Sequence, residues 1–293
     1  MLHATTVARR GPGCHDAAGR LAAVVHVVET SDPADPRLDD FRHLNSLDRR
    51  PDLPSGRGLV IAEGVLVVQR VLDSRFPLRG LLGVARRLDE LRADPGFDAA
   101  TQGVPFHLVT AEVMAEVVGF HLNRGVLAAA DRAAPLALAD VLPGARTVVV
   151  LEGVNDHENL GSMFRNAAGL GVDAVLLGAR CADPYYRRSV RVSMGHVLRV
   201  PTAPVPDWPH GLDGLREAGF RLVALTPAPD AVPLSEALGG AERVALLVGA
   251  EGPGLTAQAM AATDLRARIP MAPGTDSLNV ATAAALACYE RVR

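Results

Sequence analysis

The chain has 293 residues, room for one large domain or two ordinary ones. With 48% hydrophobic and 22% charged residues it can bury a substantial core, which excludes a disordered chain; aromatics at 4% leave aliphatic side chains and alanine to build that core. A net charge of −3 gives no general attraction to nucleic acid, and since all 30 basic residues are arginine, a Walker phosphate loop, a Schiff-base lysine and a Ser-x-x-Lys pair are excluded.

Residues 1–39 read as a partly irregular N-terminal segment, punctuated by Gly11-Pro12-Gly13 and by Ser31-Asp32-Pro33-Ala34-Asp35-Pro36, with a short strand over Ala22 to Val28 between them. Arg9-Arg10 leads into Gly-Pro-Gly rather than an apolar stretch, a poor signal peptide, and no apolar run approaches the ~20 residues of a membrane-spanning helix. A soluble, cytoplasmic protein is expected. A first α/β unit is predicted over residues 40–132. Its strands are Gly58 to Ala62, Leu78 to Val84, Phe106 to Val109 and Gly125 to Ala129, and its helices Gly64 to Leu72 and Ala111 to Val118. Residues 133–144, with two prolines, read as a linker or short helix. A second unit fills residues 145–293, with continuous apolar strands at Thr147 to Leu151, Ala174 to Leu177, Arg221 to Leu225, Val244 to Val248 and Arg268 to Pro270. Apolar strands alternating with helices require a parallel sheet covered on both faces.

Such sheets bind ligands at the carboxyl ends of their strands. The turn after Leu151 runs Asn155-Asp-His-Glu-Asn159-Leu-Gly161-Ser-Met-Phe-Arg165-Asn-Ala167. Asn159 is predicted to cap a helix from Leu160, whose buried stripe is Leu160, Met163, Phe164 and Ala167, with Gly161 for close packing and Arg165 just off the stripe. After Val248 comes Gly249-Ala-Glu251-Gly252-Pro-Gly254, in which glycines allow positive φ angles and close approach of backbone to a ligand. The third segment is Ile269-Pro-Met271-Ala-Pro-Gly274-Thr-Asp-Ser277-Leu278-Asn279-Val-Ala. Ser277 is predicted to cap a helix from Leu278 to about Val292, Asn279 to sit in its first turn, and Ala281, Ala284, Ala285 and Ala287 to form a small-residue face. Taken one at a time, a cap, a glycine turn and a surface arginine are ordinary structure; the combination points to a site.

Gly169-Leu-Gly171-Val-Asp-Ala174 has dinucleotide spacing but ends a helix and precedes a strand, whereas a pyrophosphate needs the N-terminus of a following helix. It reads as a helix C-cap. His157 and His196 lack partners at metal-ligand spacing, and Cys14, Cys181 and Cys288 form neither a disulfide framework nor a zinc cluster, so no metal is expected.

In this order the three segments resemble the three motifs of the SpoU/TrmH-type RNA ribose 2′-O-methyltransferases of the SPOUT superfamily. The resemblance rests on Asn159-Leu-Gly161 with Arg165-Asn166-Ala167, on Gly249-Ala-Glu251-Gly252-Pro-Gly254, and on Ile269-Pro-Met271 with Ser277-Leu-Asn279-Val-Ala. Residues 40–132 are similar, through Ile61-Ala-Glu63-Gly64 and Asn123-Arg124-Gly125-Val-Leu-Ala128, to the family's ribosomal-protein-like domain that binds the RNA substrate. The resemblance implies an α/β fold with a C-terminal parallel-sheet SPOUT domain containing a trefoil knot, and a homodimer with its active site at the subunit interface. It implies S-adenosylmethionine as cofactor, with Gly249, Ile269 and Leu278 touching it and Thr226, Glu251 and Met271 nearby. Asn159, Arg165, Glu251, Ser277 and Asn279 match the family's active-site positions. Asp156-His157-Glu158 is more charged than the usual lead-in to the first motif, and Pro253 occupies a variable site.

A guanidinium is effectively always protonated, so a phosphate clamp is the favoured role for Arg165, with proton removal by the RNA phosphate or a transiently neutral Arg165 both left open. The expected activity is RNA ribose 2′-O-methylation, with a separate N-terminal domain favouring ribosomal over transfer RNA. The alternatives are a tRNA methyltransferase, a non-catalytic RNA-binding factor on the same fold, which intact Asn159, Arg165 and Ser277 argue against, and a Rossmann-type nucleotide enzyme, which lacks its glycine loop. RNA contact is expected from arginine patches, Arg75 and Arg79 with Arg86-Arg87, and Arg187-Arg188 with Arg191.

Overall fold

Each run of apolar residues too short for a helix becomes a strand, and the strands assemble into two sheets. The computed structural model describes residues 25–45 and 58–293. The Gly11-Pro12-Gly13 turn, Cys14 and the first half of the strand expected over Ala22 to Val28 lie outside the described residues.

The first unit contains β1 (His26–Glu29), a 3-10 turn (Pro36–Phe41), β2 (Val60–Glu63), α1 (Val65–Leu72), β3 (Leu78–Gly83), α2 (Ala85–Arg92), α3 (Phe97–Ala100), β4 (Pro105–Leu108), α4 (Ala111–Val118) and β5 (Val126–Ala130). Its sheet runs β1-β4-β3-β5-β2, with β5 antiparallel to both its neighbours. Helix α4 shows how local sequence sets bounds: the Thr110 hydroxyl accepts from Val113 N at 3.3 Å, and Gly119 stops the helix at φ 85°. Strand β1 pairs in parallel with β4, so the sheet takes in residues ahead of Asp40, where the sequence sets the start of this unit.

The second unit contains α5 (Leu138–Val141), β6 (Thr147–Leu151), α6 (His157–Gly169), β7 (Ala174–Leu177), α7 (Arg187–Val192), a 3-10 turn (His196–Leu198), β8 (Thr202–Pro204), α8 (Leu212–Glu217), β9 (Arg221–Leu225), β10 (Val232–Pro233), α9 (Leu234–Leu238), β11 (Val244–Val248), α10 (Ala257–Ala261), β12 (Leu265–Arg268) and α11 (Val280–Val292). All seven strands are parallel, in the order β10-β12-β9-β11-β6-β7-β8. Strands β8 and β10 escape sequence reading because three and two residues carry no periodicity. Strand β12 ends at Arg268 rather than spanning Arg268 to Pro270; its residues pair with Val223–Leu225 of β9, and Pro270 has no N–H to continue a ladder.

One hydrophobic cluster runs through both units, from Val60, Val67 and Leu81 to Leu160, Phe164, Val190 and Leu246. Two smaller clusters cover the far faces, one around Phe41 and Met114, the other around Leu212 and Phe220. Helix α7 packs against β2 at the seam, where Arg187 donates to Glu63 Oε2 at 3.0 Å and Arg132 forks onto Asp183, Nη1 reaching Oδ1 at 2.7 Å. Among the described residues no helix is long and apolar enough to cross a membrane.

Candidate active site

Because β12, β9, β11 and β6 are neighbours and parallel, the segments that leave their carboxyl ends meet, although they are up to 120 residues apart in sequence. Between those that leave β9, β11 and β12 lies a cavity of about 290 Å³, whose lining does not include Asn159 or the rest of the segment after β6. All six candidate cofactor residues, Thr226, Gly249, Glu251, Ile269, Met271 and Leu278, line it. Ser277 and Asn279 line it as well.

The three segments are joined by one chain of hydrogen bonds. Asn279 Nδ2 donates to Asn159 Oδ1 at 2.8 Å, and Asn159 Nδ2 donates to Glu251 Oε2 at 2.9 Å. A side-chain amide is suited to this, since it accepts and donates at once. Neither asparagine does what its sequence context predicts. Helix α6 begins at His157, capped by Asp156, whose Oδ1 accepts from Glu158 N at 2.9 Å and Asn159 N at 2.8 Å. Asn159 is thereby in the first turn with its side chain free to bridge loops. An ionised Asp is as good a cap as Asn and adds favourable charge at the helix N-terminus. Likewise α11 starts at Val280, not Leu278. Asn279 is its cap, with Oδ1 accepting from Ala281 N at 3.0 Å and Thr282 N at 3.1 Å, while Ser277 makes no side-chain hydrogen bond among the described residues. Asn279 therefore holds the helix with its oxygen and Asn159 with its nitrogen.

The glycine loop closes on itself. Ala250 N donates to Gly254 O at 3.1 Å and Gly254 N returns to Ala250 O at 2.9 Å, which puts Glu251 at the tip. Gly252 and Gly254 take φ of 87° and 71°, whereas Gly249 needs no positive φ. Gly249 is there for space: a Cβ would stand 2.1 Å from the Gly254 carbonyl carbon. The close approach is to the loop's own backbone.

The predicted stripe Leu160, Met163, Phe164 and Ala167 is buried, and Gly161 lets α6 lie on α7, since a Cβ there would meet Ser189 O at 2.8 Å. Arg165 is exposed and does not line the cavity; among the described residues it makes no ion pair or hydrogen bond. Gly171, at φ 68°, follows the end of α6 and so does not open a phosphate-binding helix.

Sequence reading misses Glu152. It follows β6 directly and is 1% exposed, yet fully engaged: Oε1 accepts from Trp208 Nε1 at 2.7 Å and Thr256 Oγ1 at 2.9 Å, and Oε2 from Thr256 N at 2.8 Å. Thr256 caps α10, so Glu152 fixes the exit of the glycine loop to the end of β6. The available signal was a glutamate at the end of a continuous apolar strand, since that residue type is almost never buried without partners. The remaining candidates are inert. Burial pushes the Cys288 thiol up to about 12, and burial raises Cys181 too. His157 packs against Tyr186 with the rings tilted at 56° and their centroids 4.6 Å apart. Among the described residues no three His, Cys, Asp or Glu side chains converge to hold a metal.

A parallel sheet whose carboxyl-end loops interlock around one cavity defines a ligand-binding α/β protein. Residues 146–289 match the model of the SpoU rRNA Methylase family. An uncharacterized tRNA/rRNA methyltransferase of Mycobacterium tuberculosis is 65% identical over 269 residues, covering 91% of this chain and 92% of the relative. The 23S rRNA (guanosine(2553)-2'-O)-methyltransferase of Bacillus subtilis is 35% identical over 50% of this chain and 58% of its own length. The AdoMet-bound rRNA methyltransferase of Sinorhizobium meliloti superposes with a TM-score of 0.75 at 26% identity, covering 90% of this chain and 97% of that one. The chain belongs to the SpoU/TrmH family of SPOUT RNA methyltransferases.

Proposed function

We propose that the protein transfers a methyl group from S-adenosylmethionine to a ribose 2′-hydroxyl of RNA, ribosomal RNA in preference to transfer RNA, as a cytoplasmic homodimer. The observation that carries this reading is the chain Asn279–Asn159–Glu251 at a cavity lined by the second and third motifs. The residues present fit the cofactor. Leu225, Ile269 and Leu278 offer apolar walls for a flat base, and Thr226 and Ser277 bring hydroxyls to the same lining. When bound, S-adenosylmethionine supplies an electrophilic methyl on a sulfonium.

The chain's own residues orient the acceptor. Asn159 and Asn279 hold the three loops in register, and Ser277, lining the cavity with its hydroxyl free, is available to the ribose or to the cofactor's carboxylate end. Arg165, unpaired on α6, holds a phosphate of the target strand through its planar fork, so that the 2′-oxygen faces the cavity. Orientation of this kind contributes several kcal/mol to a transfer reaction. The dimer is supported by α11, which buries Ala281, Ala284 and Ala287 against the chain but leaves Leu286 41%, Tyr289 55% and Val292 54% exposed in a row. The trefoil knot and the assignment of residues 40–132 to RNA substrate binding are supported by the family resemblance. The ribose target is supported by the name of the Bacillus subtilis relative.

Incubation of the full-length protein with methyl-labelled cofactor and total RNA tests the proposal. Label should enter RNA in an alkali-resistant linkage, because alkaline cleavage needs a free 2′-hydroxyl. Label in a base beside an alkali-labile linkage would end the ribose assignment.

A further inference from the structure

A group of cations gathers where the two units meet. Arg70 leaves α1 of the first unit, lays its stem over Gly195 and donates from Nη1 to the Met194 carbonyl oxygen. These residues lead into the His196–Leu198 turn, on which both α1 and α6 pack. Arg199 caps that turn and is exposed, as is Arg165 on α6; among the described residues Arg199, like Arg165, makes no ion pair. The three charges are felt at His196, whose imidazole is held below its usual value first by burial, then by Arg70, Arg199 and Arg165. Burial, Arg199 and Arg165 lower Arg70 in the same way.

The patches expected from sequence are different. Arg79 is paired with Asp40 and Asp131, and Arg86 and Arg87 share Glu90. Arg75 donates to Ala134 O, Arg187 is tied to Glu63 and Arg188 to Glu158. Of these expected patches, Arg79, Arg86, Arg87, Arg187 and Arg188 are answered by carboxylates, while Arg191 makes no ion pair among the described residues. Arg165 and Arg199, single in sequence, make none either among the described residues. Like charges held together without a carboxylate repel at close range, and an anion relieves that repulsion.

We propose that this seam cluster is a phosphate site for the RNA backbone, in which Arg70 and Arg199 hold a phosphodiester flanking the nucleotide presented to Arg165. The inference rests on the RNA-methyltransferase reading and deepens it. Arg165 lies about 9 Å along α6 from Asn159, at 1.5 Å per residue, so one helix connects the cavity mouth to the cluster. Arg70 brings in the first unit, and the Arg187–Glu63 and Arg132–Asp183 pairs hold the two sides in fixed relation. Arg70 and Arg199 are positioning residues here.

The test is a fluorescence-anisotropy titration of a labelled RNA hairpin across a range of KCl, using full-length Arg70→Met, Arg199→Ala and the double variant. Arg199 has no side-chain partner to lose among the described residues, and methionine keeps the stem over Gly195. Each lost phosphate contact should flatten the slope of log affinity against log salt by roughly 0.7–0.9. Arg199→Lys should restore its share, because a counterion-releasing contact reads charge. Calorimetry should show unchanged S-adenosylmethionine affinity, and KM for RNA should rise by more than kcat falls. A wild-type slope in the double variant overturns the proposal, as does a wild-type protein that does not bind the hairpin. Flattened slopes in a protein that transfers no methyl group would keep the phosphate site and remove the enzymatic reading instead.

Discussion

Both sheets are made of short apolar strands leading into helices, and among the described residues it is loops of the second that interlock beside the cavity. The difference lies in the length of chain between each strand and its helix. In the first unit β2 passes to α1 through Gly64 alone and β3 to α2 through Val84 alone. In the second, residues 152–156, 249–256 and 269–279 separate β6, β11 and β12 from their helices. Short connections satisfy the helix N-terminus and leave no chain to build with; long ones free side chains such as Asn159, Glu251 and Asn279 to bond across loops. Carboxylates divide by burial rather than by unit: Glu90 and Asp40 pair with arginines near the surface, as Glu158 and Asp213 do in the second unit, whereas Glu63 on β2 is buried against Arg187 and Glu152 is buried to pin a loop. A sheet is a scaffold in both, and the length of its carboxyl-end loops decides whether it carries a site.

This contrast between the units is tested most severely at Arg165. If its work is on RNA, Arg165→Ala should fold and bind S-adenosylmethionine normally. Arg165→Lys, which keeps charge but loses the planar fork, should lose turnover on the order of a hundredfold. Kinetics paired with cofactor titration check this. Substantial rescue by lysine would make charge alone sufficient, and loss of cofactor binding in step with rate would place Arg165 in the pocket.

Next in size is Glu152→Ala against Glu90→Ala. The first strands the Trp208 N–H and both donors of Thr256, at a cost of about 1–3 kcal/mol for each buried group left unsatisfied. A drop in the urea midpoint together with weaker cofactor binding is expected, since the glycine loop loses its anchor. Glu90→Ala, on an exposed helix face, should leave the midpoint where it was. Equal effects would contradict the division drawn between the buried carboxylate that pins a loop and the surface one.

A gentler effect concerns pH and sits in the first unit. His107 on β4 is 4% exposed, with Nδ1 making no hydrogen bond among the described residues, and burial, then Arg37, hold its pKa below the usual value. The unfolded chain takes up a proton near pH 6.5 and the folded one resists it. Protons bound therefore favour the unfolded state as pH falls through about 6.5, and stability is lost in that direction. His196 adds to the same trend from the seam. In urea titrations between neutral and mildly acidic pH, His107→Phe should flatten the decline; an undiminished decline would assign it to other groups.

The order of amino acids is enough to locate the strands that are long and apolar, the buried stripe of α6, the parallel character of the second sheet and the three segments that meet through Asn159, Glu251 and Asn279. Those signals are local: periodicity, glycine, and helix-breaking residues act within a few positions. The same locality explains the misplaced caps. Asp156 and Asn159, or Ser277 and Asn279, are each acceptable to a helix end; Asn159 is taken by partners across the fold and leaves the cap to Asp156, whereas Asn279 caps with its oxygen while its nitrogen bonds Asn159. That Asn159 bridges Glu251 and Asn279, that Glu152 holds Thr256, and that Arg70 reaches the Met194 carbonyl ahead of the turn capped by Arg199 are settled in three dimensions. Each of these joins residues far apart in the chain, and strand order and packing, which no window of sequence contains, are what bring them within reach.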